Sequence, residues 1–70
     1  MSNRLEKIGK NICKIRKQQQ LLQIDLAVTV GIDRAYLSEI ENGRTNVSVN
    51  VLYAIADALG VPITDFFLED

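Results

Sequence analysis

Residues 23–42, QIDLAVTVGIDRAYLSEIEN, decide the fold of this chain. The stretch predicts two short helices joined by a tight turn, with Gly31 where the backbone needs a positive φ. Ala27 lies where the first of these helices must let the second approach closely. The predicted buried faces of the pair are formed by Leu26, Val30, Ile32, Leu37 and Ile40. The polar side chains of the second helix are then left facing outward, available to a partner.

The sequence before this pair predicts one longer helix. Its apolar stripe repeats at three and four residues and consists of Leu5, Ile8, Ile12 and Ile15. We therefore expect a first helix over about residues 3–19, capped by Ser2 or Asn3, with a soft end at the three glutamines 18–20. The second helix is expected over residues 23–29. The third begins after Asp33 as N-cap and runs to Glu41, where Asn42-Gly43 stops it.

The C-terminal third predicts two further helices after a loop at residues 43–47. The apolar face of the fourth helix is formed by Val51, Leu52, Ile55, Ala56 and Leu59. Ser48 caps this helix, Gly60 ends it, and Pro62 prevents its continuation. A last short helix opens at Pro62 or Thr64. The predicted fold is all-α, a compact five-helix domain over residues 1–70 with no strand.

Composition limits the classes of function. The chain has 70 residues, no His and a single cysteine, Cys13, so an internal disulfide cannot form and a zinc site or His-based catalytic centre is not expected. We expect a protein that is not an enzyme and needs no cofactor or metal. The N-terminus has no signal-peptide pattern, and no stretch approaches the ~20 apolar residues of a membrane span. The expected location is the cytoplasm, without membrane association.

The charges are unevenly distributed along the chain. The formal net charge is −1, yet residues 1–17 carry six cations and one carboxylate, whereas residues 51–70 carry four carboxylates and no cation. A basic end attracts phosphate locally if the acidic end lies farther away than a Debye length of about 8 Å. The alternative is that the basic run is only the solvated face of the first helix.

Three strings carry a family resemblance: IxxIRKQQQLLQIDLA, then VGIDRAYLSEIENGRTNVSV, then LYAIADALGVPITDFF. Over about residues 8–68 they resemble the Cro and phage-repressor class of helix-turn-helix domains, also called XRE-type regulators. The resemblance implies a lambda-repressor-like DNA-binding domain with its helix-turn-helix at residues 23–42. DRAYLSEIENGRTNVS is also similar to the small controller proteins of restriction–modification systems, which carry Asn-x-Ser after the loop.

The outward face of the third helix predicts base contacts in the DNA major groove. Arg34 suits a bidentate contact to guanine O6 and N7, and Ala35 suits a thymine methyl. Ser38 reaches a base or a phosphate, and Glu39 either accepts from cytosine N4 or holds Arg34 in line. The alternatives are that Arg34 pairs with Asp33 or clamps a phosphate, that Ala35 only favours the helix, and that Ser38 only meets solvent.

The resemblance also implies contacts to the DNA backbone. Gln23 would hold a phosphate by its side-chain amide together with the helix N-terminus, unless it merely caps its helix. Leu22 departs from the family, which usually has a capping Ser, Thr or Asn there. Tyr36 would press on the sugar-phosphate backbone, or else pack partly in the core. The loop after the third helix adds Asn42, Arg44, Thr45 and Asn46 as backbone contacts.

Two further roles follow from the resemblance. An Arg near the end of the first helix pairs with a Glu near the end of the third, which here are Arg16 and Glu41, in a structural ion pair. Family members dimerise through the last helix and the end of the fourth, which places two recognition helices roughly 34 Å apart. The corresponding apolar cluster here is Val61, Ile63, Phe66, Phe67 and Leu68. The alternative is that both phenylalanines close the core of the monomer.

The sequence therefore predicts a dimeric, sequence-specific DNA-binding transcriptional regulator on a palindromic operator, acting as a repressor or autoregulatory controller. Its expected partners are double-stranded DNA and a second copy of itself, and contact with RNA polymerase stays open. One alternative is an antitoxin that binds a toxin and regulates its own gene. The other is a protein-interaction module on the same scaffold.

Overall fold

Four α-helices and a C-terminal 3-10 helix form the described part of the chain, residues 3–69, in the computed structural model. In order they are α1 (Arg4–Gln18), α2 (Gln23–Val30), α3 (Arg34–Glu41), α4 (Val49–Leu59) and the 3-10 helix (Ile63–Phe67). The bounds of α1, α2 and α3 agree with the predicted ones to within one residue. Within residues 3–69 there is no strand.

The predicted last short helix is present as a five-residue 3-10 helix and not as an α-helix. The Asp65 N–H bonds to the Pro62 carbonyl three residues back, at 3.0 Å. The side-chain amide of the buried Asn11 on α1 donates to the carbonyls of Phe66 and Leu68 at 2.9 and 3.0 Å. Since a segment this short gains little from helix cooperativity, these contacts with α1 set its conformation.

Side-chain caps begin α1 and α4, as predicted. The Asn3 side chain accepts from the Leu5 N–H at 2.8 Å, and Ser48 Oγ accepts from the Val51 N–H at 3.1 Å. Ser2, the other predicted cap, lies outside the described residues. Each cap satisfies one of the backbone donors that a helix start leaves unpaired.

The helices α2 and α3 begin without such a side-chain cap. Asp33 occupies the N-cap position of α3 with extended backbone, but its side chain makes no capping hydrogen bond. At the start of α2 the Leu22 side chain has no acceptor to offer. The Asp25 carboxylate instead accepts from the Leu22 N–H at 3.2 Å, which is half of a capping box.

Each α-helix is followed by a residue with positive φ, and three of these residues are glycine: Gly31, Gly43 and Gly60. The exception is Gln20 after α1, with φ of 61°. Its N–H bonds to the Lys17 carbonyl and the next N–H bonds to the Arg16 carbonyl, the pattern of a Schellman motif. The soft end predicted for the first helix is therefore a defined cap in which glutamine takes the place usually held by glycine.

The core lies where the four α-helices and the 3-10 helix meet. Its buried apolar residues are Ile12, Leu26, Ala27, Leu37, Ile40, Leu52, Ile55, Ala56, Leu59 and Phe66. α1 packs on α3 and on the 3-10 helix, while α2 packs on α3 and α4. Val30 and Ile32, predicted to be buried, pack against this core but remain partly exposed.

The helices α1 and α3 are in close backbone contact at Gly9, a position with no predicted role in the sequence. A Cβ atom at this position would meet the carbonyl oxygens of Ile40 and Glu41, the latter at 2.7 Å. These atoms belong to the backbone, so no side-chain rotation would relieve the contact. The absence of a side chain at Gly9 thus sets how close α3 lies to α1.

The acidic C-terminal segment folds back onto the basic first helix. Glu69 forms an ion pair with Lys7, next to the Asn11 contacts with the preceding carbonyls. The condition for local phosphate attraction, that the acidic end lies farther than a Debye length from the basic end, is therefore not met at Lys7. Part of the positive charge of α1 is neutralised within the molecule.

Candidate nucleic-acid interface

The third helix presents the four predicted base-reading residues on its outer surface. Arg34, Ala35 and Glu39 are exposed and Ser38 is half-buried. Arg34 and Ser38 are one turn apart, and so are Ala35 and Glu39, so the four side chains form one continuous face. The side chains of Arg34 and Glu39 form no hydrogen bond or ion pair with any described residue. Arg34 therefore forms no ion pair with Asp33 and none with Glu39.

The end of α3 uses part of this surface for its own structure. The Asn42 side-chain amide donates to the Ser38 carbonyl at 2.9 Å and approaches Ser38 Oγ at 3.5 Å. The same carbonyl accepts from the Asn42 backbone N–H at 3.0 Å, so the side chain adds a second hydrogen bond to it. The side-chain carbonyl oxygen of Asn42 has no hydrogen bond to the described residues, and the residue is exposed.

The loop after α3 is tied to that helix by Tyr36. The half-buried Tyr36 hydroxyl donates to the Asn46 carbonyl at 3.4 Å, and the Thr45 hydroxyl reaches the same oxygen at 3.4 Å. The exposed Arg44 forms no ion pair within residues 3–69. The predicted backbone-contact residues of the loop thus lie beside α3, and Arg44 is the one that brings a free positive charge.

A buried ion pair supports this region from inside. Arg16 Nε donates to Glu41 Oε2 at 2.8 Å and Nη2 donates to Oε1 at 3.0 Å, and these residues are only 7% and 9% exposed. Arg16 also donates to the Leu21 carbonyl at 2.7 Å and contacts Cys13 Sγ at 3.6 Å. The pair therefore links α1 to the end of α3 and to the residues just before α2.

Gln23, the first residue of α2, belongs to the same network. Its Nε2 donates to Glu41 Oε1 at 3.0 Å. Burial alone would raise the pKa of the Glu41 carboxyl, but the hydrogen bonds from Arg16 and Gln23 hold that pKa below its ordinary value. The hydrogen bond to Glu41 raises the pKa of the Arg16 guanidinium against the opposing effect of burial. Both groups are therefore charged near neutral pH.

The residues of the predicted dimer surface differ in how far they are exposed. Phe66 is 0% exposed and fills the monomer core, so its assignment to a contact surface is wrong. Its neighbours Phe67 and Leu68 are 50% and 59% exposed, and Val61 and Ile63 are half-buried. The alternation arises because Asn11 holds this segment against α1 and so directs Phe66 inward. The alternative that both phenylalanines close the core is wrong for Phe67.

A second apolar surface was missed by the sequence analysis. It is formed by the exposed side chains of Leu22, just before α2, of Ile24 and Val28 on α2, and of Val49 and Tyr53 on α4. The signal in the sequence is that Ile24 and Val28 are four residues apart, as are Val49 and Tyr53. Each pair lies on one helix face: the α2 pair lies opposite the face that enters the core, and the α4 pair flanks that face.

The structure contains neither a membrane span nor a metal cluster within residues 3–69. None of its helices combines the length and the apolar content required to cross a lipid bilayer, as judged over residues 3–69. In the same part of the chain no three His, Cys, Asp or Glu side chains are grouped so as to hold a metal ion.

Comparison with protein families matches residues 14–66 to the helix-turn-helix family. The immunity repressor protein of Bacillus phage phi105 is 40% identical over 63 residues, which are 90% of this chain and 44% of the repressor. Antitoxin PezA of Streptococcus pneumoniae is 41% identical over 63 residues, which are 90% of this chain and 40% of the antitoxin. The chain therefore spans less than half the length of these two relatives.

One solved structure matches over nearly its whole length. The restriction–modification controller protein C.AhdI from Aeromonas hydrophila superposes with a TM-score of 0.87 and is 33% identical. The match covers 90% of this chain and 96% of that one. The resemblance to controller proteins seen in the sequence thus extends to the fold.

Proposed function

Because this chain belongs to the helix-turn-helix family, we propose that it is a sequence-specific DNA-binding transcriptional regulator. In this proposal residues 1–70 form one domain, α2 and α3 with the turn at Gly31 form the helix-turn-helix, and α3 enters the major groove. The observation that carries the proposal is the outer face of α3, where the side chains of Arg34 and Glu39 are exposed and have no partner among the described residues. Side chains that contribute nothing to the monomer are free to read base edges.

The proposed contacts divide into two groups. Arg34, Ala35, Ser38 and Glu39 read bases, with Arg34 on guanine O6 and N7 as the main contact. The DNA backbone is held by Gln23, Tyr36, Asn42, Arg44, Thr45 and Asn46. Because Lys7 pairs with Glu69, we assign the main phosphate attraction to Arg44 and the α2 N-terminus rather than to the basic run of α1.

We also propose that the protein binds as a homodimer. The exposed Phe67 and Leu68, with the half-buried Val61 and Ile63 beside them, form the proposed contact surface. Two copies would place their α3 helices about one DNA turn, roughly 34 Å, apart, which requires a palindromic operator. In the proposed setting, the cytoplasm of a bacterium, such a dimer acts by excluding RNA polymerase or by contacting it, according to where the operator lies.

The test is a selection from random duplex DNA at about 150 mM salt. The salt concentration is stated because both the affinity for DNA and the preference for one sequence depend on it. The expected result is enrichment of a palindrome whose half-sites are centred about one helical turn apart. A folded protein that enriches no sequence would contradict the proposal. The enriched operator would then serve as the DNA ligand in binding measurements on variants.

A second candidate function is supported by two observations. A relative of 41% identity is an antitoxin, and the apolar surface on α2 and α4 is available to a protein partner. In this alternative the chain binds a toxin and DNA binding serves to regulate its own gene. Stoichiometric co-purification with the product of the neighbouring gene, when both are expressed together, would favour this alternative.

A further inference from the structure

The start of α2 is attached to the buried ion pair through a single shared oxygen. Glu41 Oε1 accepts both from Arg16 Nη2 at 3.0 Å and from Gln23 Nε2 at 3.0 Å, while Glu41 Oε2 accepts from Arg16 Nε at 2.8 Å. Arg16 also donates to the Leu21 carbonyl, two residues before α2. The carboxylate is therefore held at both oxygens, and it in turn holds the Gln23 side chain.

The hydrogen bond between Gln23 and Glu41 determines the orientation of the Gln23 side-chain amide. The two ends of the amide have nearly the same shape, but one only donates and the other only accepts hydrogen bonds. An ionised carboxylate only accepts, so Glu41 binds the NH₂ end and excludes the flipped amide. One N–H of Gln23 is used in this way, and the second N–H of the same nitrogen is left for another acceptor.

The second N–H of the Gln23 side-chain amide lies at the start of α2, beside backbone N–H groups that have no acceptor within the helix. The first backbone N–H groups of a helix have no partner within it, and the helix dipole there favours an anion. A DNA phosphate likewise accepts only. We infer that Glu41 is a positioning residue, which fixes the Gln23 amide so that its second N–H is presented to a DNA phosphate. This inference rests on the proposed function.

The benefit of such positioning is a side chain that is ordered before DNA arrives. Ordering one flexible side chain on binding costs about 0.5–1.5 kcal/mol, which corresponds to roughly 2- to 12-fold in affinity. We therefore expect loss of the Glu41 contact to weaken the Gln23–phosphate interaction by several-fold, without changing which bases are preferred.

The experiment replaces single operator phosphates with neutral methylphosphonates and measures the dissociation constant for each. For the wild-type protein one phosphate in each half-site should be sensitive, and Gln23→Ala should abolish that sensitivity. We expect Glu41→Gln, checked for folding by circular dichroism, to lower the sensitivity at this phosphate toward the Gln23→Ala level. Sensitivity at phosphates contacted by Arg44, and the base preference carried by Arg34, should persist.

The outcomes separate the inference from the function on which it rests. Full wild-type sensitivity in Glu41→Gln, or no phosphate whose effect depends on Gln23, would overturn the positioning role while leaving DNA binding intact. Absence of any operator for the wild-type protein would instead overturn the proposed function.

A second measurement needs no substitution at the buried pair. The order parameter of the Gln23 side-chain NH₂, measured by ¹⁵N relaxation in the DNA-free protein, should approach the value of about 0.85 found for rigid backbone. The exposed Gln20 side chain, which has no hydrogen bond to the described residues, is the matched mobile control. A value below about 0.6 for Gln23, typical of flexible groups, would contradict the inference.

Discussion

At the scale of single residues, Arg16 and Glu41 are two charged side chains that are buried against each other. Two buried charges are tolerated because each oxygen of Glu41 is hydrogen-bonded and Arg16 also reaches a carbonyl. Removing one partner would leave an uncompensated buried charge, a change that typically costs about 3–5 kcal/mol. The pair therefore constrains substitutions more strongly than the exposed Lys7–Glu69 pair, for which about 0–1 kcal/mol is usual.

The lowered pKa of Glu41 predicts how stability depends on pH. A carboxyl whose pKa is lower in the folded than in the unfolded state stabilises the fold above the unfolded value. Here that stabilisation is present above a pH of about 4.5, the ordinary value, and is lost as the pH falls through the lower folded pKa. Urea unfolding of the wild type and of Glu41→Gln from pH 7 to pH 3, at one protein concentration, should show a steeper acid loss of stability in the wild type. Parallel curves for the two proteins would refute this account.

Gln20 is a residue whose replacement should stabilise the protein. An L-amino acid in the left-handed conformation loses roughly 1–2 kcal/mol that glycine does not lose, while glycine adds about 0.5–1 kcal/mol of unfolded-state entropy. Gln20→Gly should therefore raise the free energy of unfolding by about 0.5–1 kcal/mol, measured by urea denaturation. Gln18→Gly, inside the last turn of α1, is the control and should destabilise by about 1 kcal/mol. The same sign for both variants would rule out the explanation by φ.

The two exposed arginines of the candidate interface should differ in their effect on DNA binding. Arg34→Ala should lose discrimination at one base position, at a cost of about 1–3 kcal/mol for the preferred base. Arg44→Ala should weaken all sequences alike and reduce the slope of log K against log salt by about 1. Binding titrations at several salt concentrations, on the selected operator and single-base variants, measure both effects. An unchanged base preference in Arg34→Ala would exclude it as the reader.

At the scale of elements, the crossing of α1 and α3 depends on Gly9. Gly9→Ala favours the α-helix by about 1 kcal/mol in propensity, but its Cβ would meet two backbone carbonyl oxygens of α3. Overpacking of this kind typically costs about 1–3 kcal/mol, so we expect net destabilisation in thermal unfolding. Lys10→Ala, exposed on the same helix, is the matched control and should change stability by less than about 0.5 kcal/mol. A stabilised Gly9→Ala variant would show that α3 can move away from α1.

At the scale of the whole molecule, the C-terminal segment has an inner and an outer side. Replacing Phe67 and Leu68 together by Ser should weaken dimerisation in sedimentation equilibrium while the monomer stays folded, because both side chains are half-exposed. Phe66→Ala should instead lower stability by about 3–5 kcal/mol through the cavity it leaves in the core.

A control on the other apolar surface tests the location of the contact. Tyr53→Ser on α4 removes a side chain that is as exposed as Phe67 but should leave dimerisation unchanged. If Tyr53→Ser dissociates the dimer and the Phe67–Leu68 variant does not, the contact lies on the α2 and α4 surface.

The bounds of the four α-helices, most of their caps and the face that each buries could be predicted from the sequence alone. These features are local: side chains three or four residues apart share a helix face, and Asn3, Ser48 and Gly31 act on backbone within a few residues of themselves. The outward position of Arg34 followed from the same periodicity. The Arg16–Glu41 pair, 25 residues apart, was predicted only through the family resemblance, because spacing alone does not bring two helices together.

How the elements meet could not be predicted from the sequence and is seen only in the folded structure. Asn11 binds carbonyls 55 and 57 residues away, and Gln23 binds a carboxylate 18 residues away. Whether Phe66 or Phe67 points inward depends on how the C-terminal segment docks on α1, and the role of Gly9 depends on where α3 crosses it. The physical reason is that helical periodicity states which face of an element is buried but not what lies opposite, which is settled by packing all the elements against one another.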